Sequence, residues 1–350
     1  MPSCTIRNFD ITILGSEPPY PIIAGYEQRT ANGFFTQDAH QPAWAETIQL
    51  LAESHTPPQE RTILNVGATL FSEVVQGPIR DLWVEARTEM ARGNHHLRVR
   101  LNLHPPAVAA LPWETLADPG RRTTLAADRS LALVRTATDV EFVGHSRPLA
   151  SALPARILIA AVASPGGIEA AVAIERTRSA LATLIPDRVQ IDTITGRFGI
   201  HRLLERLQES RPDILHIISH GEADGLYLWD DDDLGLVSSS QLAATLNLVE
   251  SVKFVFLNAC LAGQPDDETP YASLAQRLLQ IGIPAVIAMQ FEVLDRAAAD
   301  FAGFLYRALV DGPCPGSIDV AVSIARSGLY ISDPDRISYV TALLWLNGPD

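Results

Sequence analysis

Basic residues, cysteine and long apolar runs are all scarce in this chain, and each shortage removes a class of function. Twenty-seven Lys and Arg face 41 Asp and Glu among 350 residues, a formal net charge of −14. A surface of that sign disfavours capture of nucleic acid or of an anionic membrane face, so neither is an expected partner. A partner with a basic segment suits it better. No apolar run approaches the roughly 18 residues of a membrane span. The opening MPSCTIRNFDITIL lacks the basic stretch, apolar stretch and small-residue cleavage site of a secretory signal. The three cysteines, Cys4, Cys260 and Cys314, are too few and too scattered for a disulfide framework or a zinc site. Free thiols and a cytoplasmic location are expected, with no metal and no cofactor.

What is present describes a globular chain. Hydrophobic residues make up 47% and charged residues 19%, which leaves ample apolar material for packing. Single cores tend to stop growing at about 250 to 300 residues, so 350 predicts two subdomains, here 1–150 and 151–350. The second alternates short β-rich runs with longer amphipathic ones, the mark of an α/β domain with a mostly parallel sheet flanked by helices. Strands are expected at Arg156 to Ala163, Val189 to Ile194, Ile214 to Ser219, Val252 to Leu257, Ala285 to Met289 and Tyr339 to Leu346. Helices are expected at Ile168 to Leu184, Ile200 to Leu207, Tyr271 to Gln280, Asp295 to Leu309 and Ile318 to Ser327.

Leu226 to Trp229 and Leu234 to Val237 form a hairpin pattern closed by Asp230 to Asp233, which suits a solvated turn better than a calcium loop. Ser239 or Ser240 is the expected cap of the helix that follows. In the first subdomain, Thr62 to Val66 and Leu97 to Leu103 look like strands and Ile79 to Met90 like a helix, with Ser146 to Pro154 as the linker. His95 and His96 follow Gly93-Asn94, and a turn is preferred there over a metal role.

Two strand ends carry groups fit for chemistry. ILHIIS runs into His220-Gly221-Glu222, and VKFVFLNA runs into Cys260. Residues beyond the carboxyl ends of neighbouring parallel strands converge on one crevice. There an imidazole can hold a thiol as thiolate and later protonate a leaving amine, while the N–H groups of Gly221 and Cys260 stabilise an oxyanion. Taken alone, Cys260 also fits a small buried hydrophobe, and His216 inside the same strand fits a packed core residue. Asp295, Gln290 and Glu292 lie after the strand Ala285 to Met289, at the same expected edge, and are the candidates for lining the cleft that receives the substrate side chain.

The local wording is more specific. LPWETL (Leu111 to Leu116), ILIAAVASP (Ile157 to Pro165), ILHIISHGE (Ile214 to Glu222), FLNACLAG (Phe256 to Gly263) and GIPAVIAMQFEVLDRAAADF (Gly282 to Phe301) occur in the order of one family. Over about residues 60–350 the chain resembles the CHAT-domain family of caspase-like cysteine peptidases. The resemblance implies a caspase-like fold and peptide-bond cleavage, with His220 as the dyad histidine, Cys260 as the nucleophile, and Gly221 and Cys260 supplying the oxyanion donors. It implies that residues 1–150 form a degenerate caspase-like half. VLDR (Val293 to Arg296) is similar to the separase loop whose aspartate receives an arginine, which favours Asp295. By resemblance, the expected partner is a protein substrate such as a co-encoded, gasdermin-like pore former in bacterial defence. No TPR-like repeat is present, so an activating partner or self-cleavage is the expected switch. A non-catalytic interaction module is the alternative, as is a Cys/His hydrolase of small substrates; the missing G-x-S-x-G or G-x-C-x-G elbow speaks against the latter.

Overall fold

The computed structural model describes residues 4–52, 60–93, 95–121, 123–136, 155–163, 174–175, 177–179, 188–222, 225–261, 270–291, 295–332 and 337–347. Strands β1 (Ile6–Ile13), β2 (Tyr20–Tyr26) and β3 (Arg29–Phe35) precede helices α1 (Pro42–Ala52), α2 (Glu60–Val74) and α3 (Gly77–Gly93). Strand β4 (His96–Leu103), the short helix α4 (Pro106–Ala109), two 3-10 turns (Trp113–Thr115 and Leu125–Ala127) and β5 (Leu131–Thr136) complete the first part. The second part begins with β6 (Ala155–Val162), β7 (Val189–Gly196), α5 (Ile200–Ser210) and β8 (Ile214–Glu222). The hairpin β9 (Gly225–Asp230) and β10 (Asp233–Ser238), α6 (Ser239–Asn247), β11 (Phe254–Leu261), α7 (Pro270–Gln280) and β12 (Ala285–Met289) follow. The chain then runs through α8 (Asp295–Asp311), α9 (Ile318–Ser332), α10 (Ser338–Thr341) and β13 (Ala342–Leu346).

The described strands form one mixed, mostly parallel sheet, as expected for the α/β class. Strands β7, β6, β8, β11 and β12 are parallel neighbours in that order. Strand β13 lies antiparallel to β12 and parallel to β5, and so joins the two parts of the chain through a single ladder. Beyond β5 come β4 and β1, both parallel, and then the antiparallel β2 and β3.

Period-two alternation assigns the faces. Ile157, Ile159, Phe254, Phe256 and Ile287 pack with Phe301 and Leu305 of α8 and Val322 of α9. Leu158, Ala160, Val255 and Leu257 pack on the other face with Leu203 of α5, Leu242 of α6 and Leu278 of α7. A further core in the first part sets Phe9, Ile11, Val99 and Leu101 against Leu70, Phe71, Leu82 and Trp83. Burial of each large side chain contributes about 1.5–3 kcal/mol.

Most of the expected elements are present, and the differences have local causes. Thr62 to Val66 is not a strand but the first half of α2. Its β-branched residues suggest a strand, yet Ile63, Gly67, Leu70, Phe71 and Val74 are the buried positions, the spacing of one helical face. Gly67 has a packing reason: a Cβ there would lie 1.7 Å from the carbonyl oxygen of Thr115. The cap of α6 is Ser238 rather than Ser239 or Ser240. It forms a reciprocal capping box with Gln241, and Ser239 is fully buried. Residues 339–341 belong to α10, so the last strand starts at Ala342. The expected linker at Ser146 to Pro154 and most of the helix at Ile168 to Leu184 lie outside the described residues.

The reading of all three thiols as free is corrected as well. Cys4 and Cys314, 310 residues apart, form a disulfide with a Cα–Cα separation of 5.4 Å. Strand β1 and the turn between α8 and α9 meet there, a proximity that sequence spacing cannot reveal. Among the described residues no helix is long and apolar enough to cross a membrane.

Candidate active site

Strands β8 and β11 extend past their neighbours. The β6–β8 ladder ends where Ala161 faces Ile218, and the β11–β12 ladder ends where Leu257 faces Ala288. The β8–β11 ladder continues through three further pairs to Cys260 opposite His220 and Leu261 opposite Gly221. His220 and Cys260 are therefore direct register partners on two adjacent parallel strands, at the tip where the flanking strands have stopped. Both strands are longer than the sequence pattern predicts, so the two residues lie within the ladder's last turns rather than in the loops beyond it.

The hairpin fills the space left by β6. Gly221 pairs with Leu226 and Glu222 with Gly225 in antiparallel register. The buried Ser219 hydroxyl donates to the Tyr227 carbonyl oxygen at 2.6 Å, with the His220 carbonyl oxygen 3.0 Å away, which fixes the hairpin against β8. Trp229 donates its indole N–H to the Ala163 carbonyl at 2.6 Å, and the Arg197 guanidinium sits 4.3 Å from its ring centroid. The close approach of the Trp229 carbonyl explains Gly199, where a Cβ would lie 2.3 Å from that oxygen.

Beneath the tip the floor is apolar. His216 is fully buried and stacks on Phe256 with centroids 4.2 Å apart and planes at 13°. Among the described residues neither ring nitrogen has a hydrogen-bond partner, and burial pushes its pKa down to about 3, so the ring is neutral at physiological pH. It packs as the core histidine the strand pattern suggests. His220, two alternations further along β8, is half-buried.

The remaining sequence candidates divide. Gln290, the residue after β12, is bonded to α10 and to the first part of the chain. Its N–H bonds the Thr341 carbonyl at 2.9 Å, and its side-chain amide donates to the Val340 carbonyl at 2.7 Å and to Glu114 at 3.4 Å. Asp295 is the first residue of α8. Glu292 lies outside the described residues.

The contact from Gln290 leads to a buried ion pair of the first part. Glu114 of LPWETL, fully buried, makes a two-pronged ion pair with Arg135 at 2.6 and 3.0 Å. Arg135 also donates to the Ala109 carbonyl at 2.7 Å. Arg326 of α9, equally buried, bonds the carbonyls of Leu133 and Ala342 at 2.9 and 2.6 Å. Burial lowers its pKa to about 10, against the pull of Glu114. Trp113 is fully buried. It packs in the core of the first part, 5.8 Å from Phe35, and donates its N–H to the Val108 carbonyl.

These segments coincide with one family. The CHAT domain matches residues 64–345. The chain belongs to the CHAT domain family. LPWETL, the β8 tip and the β11 tip all fall within the CHAT domain, and β1 to β3 precede it. Among solved structures, two of the Saccharomyces cerevisiae separase–securin complex are similar to the chain. The one at 3.0 Å shares 14% identity over 79% of this chain and 17% of that one, with a TM-score of 0.41. The one at 2.6 Å shares 10% over 98% and 30%, with a TM-score of 0.48. The chain thus spans less than a third of the length of either separase. No curated protein sequence matches it.

Proposed function

We propose that this chain is a caspase-like cysteine endopeptidase in which Cys260 is the nucleophile and His220 the acid–base partner. The observation that carries the reading is the register pairing of the two residues at the projecting tip of β8 and β11, within a chain of the CHAT family. In the reaction, the Cys260 thiolate adds to the scissile carbonyl carbon. The N–H groups of Gly221 and Cys260 receive the charge on the oxygen. Collapse to the thioester expels the amine, which takes a proton from the His220 imidazolium, and water activated by the same imidazole hydrolyses the thioester. Residues 1–150 act as a non-catalytic, degenerate caspase-like half that buttresses the active sheet of residues 151–350.

Asp295, the first residue of α8, is the proposed receiver of a basic substrate residue. A carboxylate pairs a guanidinium through charge-assisted hydrogen bonds, and the net charge of −14 favours approach of a basic segment. The substrate is a partner protein in the cytoplasm, such as a co-encoded, gasdermin-like effector of a bacterial defence system. The test compares fluorogenic peptides with Arg, Leu or Asp before the scissile bond, on wild type and on the Asp295→Ala and Cys260→Ala variants. Arg is expected to be preferred, the preference to vanish with Asp295→Ala, and all turnover to vanish with Cys260→Ala. Turnover that survives Cys260→Ala overturns the peptidase reading; an Arg preference that survives Asp295→Ala overturns the Asp295 role alone.

A further inference from the structure

Away from the β8–β11 tip, Cys4, His96 and Cys314 bring two sulfurs and a ring nitrogen within 4.8 Å of one another. We propose that in the thiol-reduced chain these three residues bind one thiophilic divalent cation, Zn2+, with solvent in the fourth position. Tetrahedral zinc with two thiolates and one imidazole needs donor separations of about 3.5–3.8 Å, so the cluster is of the right size once the S–S bond is opened. A donor set of two sulfurs and one imidazole suits zinc better than calcium or magnesium.

The ligands are held by independent anchors. The His96 N–H bonds the Thr5 carbonyl at 3.0 Å, which seats the residue after Cys4 against the start of β4. On the other side, Cys314 lies in the turn leading to α9, where the Ser317 N–H bonds the Cys314 carbonyl at 3.1 Å. Two residues beyond His96 on β4, Arg98 donates at 2.7 Å to Asp319 near the head of α9, a pair that is almost wholly buried. Nδ1 of His96 is buried with no hydrogen-bond partner among the described residues, so its lone pair is not engaged by another group. Cys314 is buried and Cys4 exposed, which opens the fourth position to water.

The interconversion balances. A dithiol reductant attacks the Cys4–Cys314 bond, both cysteines leave as thiols, and the dithiol departs as its own disulfide. Zn2+ then displaces the two thiol protons. Oxidised and metal-bound forms thus join the same two segments by alternative means.

The test uses the full chain, reduced with a non-chelating phosphine, incubated with Zn2+, freed of excess metal and analysed for bound zinc. One zinc per chain is expected, kept by Cys260→Ser, lost in the Cys4→Ser/Cys314→Ser double variant, and held at least about tenfold more weakly by His96→Ala. In parallel, alkylation of the reduced wild-type chain read by mass spectrometry needs no variant to fold, and zinc is expected to slow modification of Cys4 and Cys314. The proposal is overturned if the reduced chain takes up no zinc, if the double variant takes up as much, or if zinc leaves both alkylation rates unchanged.

Discussion

Replacing His216 by Leu should remove a specific part of the acid sensitivity of the fold. His216 is 0% exposed and its pKa is held down to about 3 by burial, against about 6.5 in an unfolded chain. Between those values the unfolded chain binds a proton that the folded chain does not, so stability falls as pH drops below about 6.5 and is unaffected above it. At pH 5 the loss from this one residue is about 2 kcal/mol. His216→Leu keeps a similar volume beside Phe256 and leaves no ring nitrogen unpaired, so at pH 8 it should lie within about 1.5 kcal/mol of wild type. Urea unfolding of both proteins at pH 8 and pH 5 measures the difference. Wild type should lose about 2 kcal/mol more than the variant on acidification. Equal losses would show that His216 is solvated or partnered, and would refute the buried, neutral ring beneath the β8 tip.

Glu114→Ala should destabilise the chain by about 3–5 kcal/mol, since it leaves the Arg135 guanidinium buried without its carboxylate. In thermal or urea unfolding, a loss below 1 kcal/mol would contradict a dry ion pair there. A fragment of residues 155–350 loses the β5 partner of β13 and the Leu133 carbonyl that Arg326 bonds. It should be insoluble or inactive, and a soluble, fully active fragment would contradict the buttress role of the first part.

Much of the sheet was legible in the sequence because its strands are short apolar runs bounded by helix caps and turn residues. Ala285 to Met289 is an example, predicted and found with the same bounds. The strand ends at His220 and Cys260 were legible as a meeting point, because parallel order puts carboxyl ends together. Their pairing in register was not, since strand length depends on neighbours that stop early. Thr62 to Val66 misled because β-branching outweighed a helical period that is visible only when the window reaches Val74. The Cys4–His96–Cys314 cluster and the Glu114–Arg135 pair joined by Gln290 were invisible for another reason. Each joins segments far apart in sequence, and only the topology sets their spacing.

The central claim is that Cys260, paired with His220, is a peptidase nucleophile. An electrophilic probe, an acyloxymethyl ketone on a peptide ending in Arg, reports it directly when full-length protein is analysed by intact mass and peptide mapping. The account predicts one adduct per chain, a thioether on Cys260, formed far more slowly in His220→Ala and absent in Cys260→Ala. A chain that stays unlabelled, or is labelled at Cys260 at the same rate with and without His220, would contradict it.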